Sequence, residues 1–366
     1  MHFGLFAWFT PIDGKPYSEA FEATFEQICR AERAGWDSVW MPETHFGGDL
    51  ILSSSPFVLS SAIAARTSRI KIGSAVHQPR LLLPAGSAVA SDSSEPDTAT
   101  MPRSVSNYSM LAPADPIRTA EDTAMVDQVS GGRFIYGVGG GSRGNKDKRK
   151  KFFEFLDVVR RAWADEDEFS GYSGTYYKYE PMLAVRPTPS QRPGPPIMVA
   201  AESDTSFPAL GSMGYHVLIG AGTSHNQRGH SGMTSDIGAY RRAWNEAGHE
   251  GTPEIFVRIP THVADTSEQV QADVAHTIEV ARTTYAAAGR QLLPQPDPGT
   301  ASLERLERGN LFGTPGEVID RIYKLQEDLG ATGVLLETNW FGGVAPEAVN
   351  RSMELIAEKV MPTFNR

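Results

Sequence analysis

Gly35-Trp36-Asp37-Ser38-Val39-Trp40-Met41-Pro42-Glu43-Thr44-His45-Phe46 holds the unit from which the fold is read. Upstream of it, positions 18–34 place Phe21, Phe25, Ile28 and Cys29 at helical spacing. Gly35 then supplies the residue type that closes a helix in the left-handed conformation. Positions 36–41 form a short apolar strand, and Glu43, Thr44 and His45 gather at its C-terminal end. Helix, strand and polar loop follow one another within a few residues.

The same alternation extends in both directions. Strands are expected at 2–9, 36–41, 69–76, 133–138, 196–201, 215–221, 254–263 and 333–338. Helices are expected at 18–34, 56–66, 116–129, 151–164, 205–213, 235–247, 267–288, 315–329 and 346–360. Strands separated by helices imply a parallel sheet covered by helices. Eight such units favour a closed α/β (β/α)8 barrel, one domain over 1–366, over a doubly wound sheet. The doubly wound alternative lacks its fingerprint, because Ala7-Trp8-Phe9-Thr10 offers no glycine for a pyrophosphate turn. Three segments break the rhythm. An inserted loop at about 81–114, rich in Ser, Ala, Pro and Asp, reads as a lid or a disordered excursion. An irregular excursion spans about 288–310, and 175–195 is a short extended one, dense in Tyr and Pro.

Composition narrows the function. A net charge of −10 without a basic face argues against nucleic acid as a partner. The local run Lys146-Asp147-Lys148-Arg149-Lys150-Lys151 reads either as a solvated helix start or as a rim that attracts a phosphorylated cofactor. The single cysteine, Cys29, forms no internal disulfide and reads as a core residue. The nine histidines show no metal-binding spacing, so no metal is expected. No secretory leader and no membrane-length apolar stretch is visible, so no membrane association and a cytoplasmic setting are expected.

In barrels of this kind the chemistry sits where the strands end. A carboxylate beside an imidazole, as in Glu43 and His45, tunes the imidazole for proton transfer, or forms an ordinary loop ion pair. The glycine-dense run at 137–144, with Gly139, Gly140 and Arg143, permits close backbone approach to a phosphate, or makes a plain turn. Glu202, Ser203 and Ser206 join a strand to a helix, where free N–H groups and hydroxyls attract an anion or simply cap the helix. Trp8, Phe9, Phe46, Trp340 and Phe341 suggest an apolar or aromatic ligand.

These pieces resemble one family. Residues 35–46 are similar to the G-[FW]-D-x-[VL]-W-x-x-E-H-H-F segment of the bacterial-luciferase-like flavin monooxygenases. Asp115-Pro116-Ile117-Arg118-Thr119-Ala120-Glu121-Asp122 and Asp127-Gln128-Val129-Ser130-Gly131-Gly132-Arg133 resemble its next segment. Pro196-Ile197-Met198-Val199-Ala200-Ala201-Glu202-Ser203 and Gly313-Thr314-Pro315-Gly316-Glu317-Val318 resemble two more, in order along the chain.

The resemblance implies a TIM barrel that uses reduced FMN (FMNH2), supplied by a separate NAD(P)H:flavin reductase, and a homodimer. O2 would act through a C4a-peroxyflavin on a small apolar or aromatic organic substrate. By position, His45 matches the second histidine of the family's pair and Thr44 stands where the first would be. Ala75 and Val76 fall where a cis peptide packs against the isoalloxazine. Glu202, Ser203 and Ser206 fall on the phosphate turn. Gly140 replaces the arginine that follows the fourth strand, with Arg143 as its substitute. The alternatives are an F420-dependent oxidoreductase of the same superfamily and a non-catalytic flavin-binding relative.

Overall fold

A computed structural model of the chain describes residues 1–45, 51–79, 114–140, 146–201, 206–220, 229–287 and 309–364. Eight parallel strands form the barrel: β1 (His2–Phe6), β2 (Ser38–Met41), β3 (Lys71–Ser74), β4 (Phe134–Val138), β5 (Ile197–Ala200), β6 (His216–Gly220), β7 (Ile255–Val263) and β8 (Gly333–Glu337). Each pairs with its neighbour in chain order, and β8 pairs in parallel with both β7 and β1, which closes the ring. Helices α1 (Tyr17–Arg33), α2 (Pro56–Ala64), α3 (Pro116–Ser130), α4 (Lys146–Ala164), α5 (Ser206–Ser212), α6 (Gly229–Glu246), α7 (Ser267–Ala287), α8 (Pro315–Leu329) and α9 (Pro346–Leu355) connect or follow the strands.

Local chemistry sets the helix ends. The Asp115 carboxylate accepts from the amides of Ile117 and Arg118, Pro116 opens α3, and Gly131 closes it at φ 66°. Glu317 reaches back to the Thr314 amide at 2.7 Å, and Gly330 ends α8 at φ 58°. Both helices therefore start and stop where the sequence supplies an acceptor, a proline and a glycine.

Alternation along the strands divides the core. Outward residues such as Val39, Ile72, Tyr136, Val199 and Leu336 pack under the helices. Inward residues Phe6, Trp40, Ile135, Met198, Phe256 and Leu335 form a separate central cluster. Large rings fit there because glycines face them. A Cβ on Gly73 would lie 2.3 Å from the Trp40 ring, and one on Gly333 2.7 Å from Phe256.

At the closed end, Trp40 Nε1 donates to Ser38 Oγ at 2.7 Å, and Ser38 lies 2.6 Å from His2 Nε2. The His2 ring stacks on Phe256 at 4.7 Å. Burial lowers the His2 imidazole from its ordinary 6.5 to about 4, Asp37 opposes the shift, and Lys71 and the N-terminal amine add to it. The folded state therefore binds fewer protons than the unfolded chain between those values. Stability is full above pH 6.5 and falls as the pH drops toward 4. His2→Gln should remove roughly 2 kcal/mol of that acid sensitivity. Urea midpoints at pH 7.5 and 4.5 check it, and equal acid losses in both proteins would reject the assignment.

The structure alters several details of the sequence reading. β1 stops at Phe6, and Phe9 packs against Phe21 and Phe25 of α1, away from the barrel mouth. α4 begins at Lys146, so the basic run belongs to its first turns. The extended excursion after α4 forms two short ribbons, Glu168–Phe169 with Met182–Leu183 and Tyr172–Ser173 with Lys178–Tyr179. A further strand, Leu311–Gly313, pairs with the end of β7. Cys29 is half-buried, beside the core residue Ile28. Nearly all of the expected 81–114 insertion, and the 288–310 excursion up to position 308, lie outside the described residues.

Candidate active site at the strand ends

The ends of β2, β3 and β4 form one connected surface. His45 Nε2 lies 2.6 Å from Glu43 Oε1. The other oxygen of Glu43 accepts from the Gln78 backbone amide at 2.8 Å, and the Gln78 side chain donates to the Glu43 carbonyl at 3.0 Å. Glu43 is buried, so its two oxygens join the loop after β2 to the loop after β3. Thr44, half-buried between the pair, is held through its amide to the Ser53 carbonyl at 2.8 Å.

β3 ends at the Ala75–Val76 peptide, which is cis. Ala75 is tied to β2 by its amide, 2.7 Å from the Met41 carbonyl. Past it, His77 accepts from the Gly139 amide and donates to the Gly137 carbonyl, both at 2.9 Å. A Cβ on Gly139 would lie 2.7 Å from Val76 Cγ2, and one on Gly140 2.8 Å from Phe152. The two glycines therefore let the Val76 and Phe152 side chains pack directly against the β4 end. His77 Nδ1 meets the Tyr136 hydroxyl at 2.9 Å, outside the barrel. Burial, and then the negative Glu43, hold the Tyr136 phenol well above its ordinary range, so it stays protonated. Glu43 and His77 also border a cavity of about 200 Å³ with Phe57, Asp115 and Arg118, between the starts of α2 and α3.

Ser206 opens α5 one strand further round, while Arg143, Glu202, Ser203 and Phe46 lie outside the described residues. Among the described residues no group of three or more His, Cys, Asp or Glu could hold a metal ion, and no helix is long and apolar enough to cross a membrane.

The opposite rim holds residues that sequence reasoning passed over. Glu337, fully buried at the end of β8, accepts from Trp8 Nε1 at 3.1 Å and lies 3.2 Å from Arg258 Nε on β7. Burial raises its carboxyl, against the pull of Arg258 and the Trp8 bond. Arg258 lies over the Phe6 ring at 5.0 Å. Beside it, buried His262 meets Asp273 of α7 at 2.8 Å, and Thr277 bonds the Trp340 carbonyl. α7 therefore covers this side of the mouth, with Val270 and Val274 in the central cluster beside Trp8 and Trp340. A charged residue inside each of two apolar strands was the signal available in the sequence.

A family model described as luciferase-like monooxygenase matches residues 1–90 and 106–333. The chain belongs to the luciferase-like monooxygenase family. Among curated relatives, the oxygenase component of a flavin-dependent trigonelline monooxygenase from Acinetobacter baylyi is 22% identical, covering 100% of this chain and 96% of the relative. Among solved structures, the monooxygenase RslO1 from Streptomyces bottropensis superposes with a TM-score of 0.77 at 24% identity, covering 100% of both chains. The oxygenating constituent of 3,6-diketocamphane monooxygenase from Pseudomonas putida, a type II Baeyer-Villiger monooxygenase in complex with FMN, gives 0.70 at 21%, covering 99% of this chain and 98% of that one. At these identities the solved structures support the fold; the family membership rests on the model match.

Proposed function

We propose that this chain is the oxygenase component of a two-component FMNH2-dependent monooxygenase acting on a small apolar or aromatic substrate. The observation that carries the reading is that the His45–Glu43 pair is joined through Gln78 to the end of β3, beside Ala75 and Val76 and next to Gly139 at the end of β4. In this reading Ala75, Val76, Gly139 and Gly140 hold the isoalloxazine, and Arg143, Glu202, Ser203 and Ser206 hold the phosphate. Bound reduced FMN would supply the electrons that activate O2.

The protein's own tasks follow from its geometry. Glu43 favours the His45 tautomer protonated on Nε2, which makes Nδ1 the basic nitrogen. Thr44 adds a hydroxyl to that edge. Burial of Trp8 and Trp340 under α7 excludes water from the far side. A separate NAD(P)H:flavin reductase would deliver the cofactor in the cytoplasm. Val58 on α2 and Met125 and Val129 on α3 are exposed on neighbouring helices and offer an apolar face to a second copy, in line with a homodimer. The chain acts as one domain over 1–366, the segment at about 81–114 being an insertion in the sequence.

Mixing the protein with FMNH2 and O2, and separately with reduced F420, tests the assignment. Substrate-dependent O2 uptake with FMNH2 is expected; tight F420 binding without O2 uptake would sink it. His45→Ala should lower single-turnover rates by about 10²-fold while FMN affinity stays within roughly threefold. Equal losses would make His45 a structural contact.

A further inference from the structure

The rim made by β7, β8 and β1 contains buried polar groups that the proposed flavin site does not use. Arg258 Nε and Glu337 Oε1 stand 3.2 Å apart as an ion pair, yet among the described residues neither atom has a hydrogen bond. Glu337 is fully buried, whereas the Arg258 side chain keeps 24% exposure. Around them lie Phe6, Trp8, Leu335 and Trp340. Arg258 Nε faces Glu337, so the other N–H groups of the partly exposed guanidinium, with no acceptor among the described residues, are the ones that another molecule can meet.

We propose that Arg258 is the specificity-determining residue for the substrate, donating to one neutral carbonyl oxygen on an otherwise apolar molecule. The inference rests on the monooxygenase reading above and adds the substrate's chemistry to it. The charge balance selects the ligand. Glu337 already meets the Arg258 charge, so a carboxylate would leave a net negative cluster in an apolar wall. A carbonyl oxygen takes the unused N–H groups and brings no charge. The surrounding rings and Leu335 then cover the ligand's hydrocarbon body. Phe6, Trp8, Leu335 and Trp340 offer a mostly apolar lining around it, so a compact molecule with a single carbonyl fits better than a polyhydroxylated one.

The flavin ring also carries neutral carbonyls, so the test separates the two sources. The holoprotein, loaded with FMN, and the FMN-free protein are titrated with cyclohexanone, methylenecyclohexane and cyclohexanecarboxylate. Tryptophan fluorescence and saturation-transfer NMR report binding. Cyclohexanone is expected to bind about tenfold tighter than methylenecyclohexane, the value of one charge-assisted hydrogen bond. Arg258→Met should erase that preference while FMN affinity is unchanged. Glu337→Gln, which leaves Arg258 uncompensated, should shift preference toward the carboxylate. Arg258→Met combined with Glu337→Gln removes both charges and carries the test if the single variant fails to fold. No ketone preference in the unaltered protein, or a preference that survives in Arg258→Met, overturns the proposal. So does an equal loss of FMN affinity, which would assign the contact to the flavin. Failure of FMN to bind at all while the ketone preference persists would instead reject the flavin reading and leave Arg258 in place.

Discussion

Gly137→Ala is expected to abolish cooperative folding. A Cβ at that position would stand 1.7 Å from the Ser74 carbonyl oxygen, and the obstacle is backbone. Ser74 cannot retreat easily. Its hydroxyl donates to the Gly137 carbonyl at 2.7 Å and accepts from the Gly137 amide at 3.0 Å. The Trp40 ring closes the space from the barrel interior. Relief therefore requires β3 and β4 to part, which breaks the ring of strands. Overpacked cores with flexible neighbours lose about 1–3 kcal/mol, and this case should exceed about 4 kcal/mol. Gly316→Ala is the control: it meets nothing within 4 Å in the first turn of α8 and should be neutral or stabilising by roughly 0.5 kcal/mol. Circular dichroism and soluble yield distinguish the two. A Gly137→Ala protein melting within a few degrees of the original would show that the strands open without cost.

That glycine also shows how one sequence feature can serve two purposes. The glycine-dense run after β4 read as a backbone approach to a ligand. In the barrel, Gly137 is demanded by Ser74, Gly139 by Val76 and Gly140 by Phe152. Close packing of the strands and the helix accounts for all three. Period and punctuation could not separate these causes, because both act through the missing Cβ.

The barrel itself was legible because every strand is an apolar run bounded by Gly, Pro or polar residues. What escaped was short or switched partners. Leu311–Gly313 has three residues, and each ribbon strand after α4 has two, too few for any periodicity. The reading of β1 ran on through Ala7, Trp8 and Phe9 because they are apolar, yet Trp8 turns to Glu337 and Phe9 to α1. Of the candidate site, the Glu43–His45 contact followed from spacing alone. The Arg258–Glu337 contact did not, since 79 positions separate the two residues and only barrel closure brings β7 beside β8.

Glu43→Ala is the second substitution expected to act strongly, and it acts on both stability and turnover. The carboxylate holds two groups at once, the His45 ring at 2.6 Å and the Gln78 amide at 2.8 Å. Truncation leaves that amide without its acceptor and frees the loop two residues beyond the Ala75–Val76 peptide. An unsatisfied donor and a lost charged hydrogen bond together cost about 2–4 kcal/mol. Glu43→Gln separates the roles. Its oxygen can still accept from the Gln78 amide while its NH2 donates to His45, so the clamp survives without the negative charge. The stability of Glu43→Gln should therefore stay within about 1 kcal/mol of the original protein. Turnover should still fall by roughly tenfold to hundredfold, because an NH2 that donates to His45 Nε2 moves the ring proton to Nδ1 and reverses the tautomer. Urea titration and single-turnover kinetics read the two effects independently. If Glu43→Gln keeps full turnover, the carboxylate is a clamp between β2 and β3 and proton transfer belongs to another group.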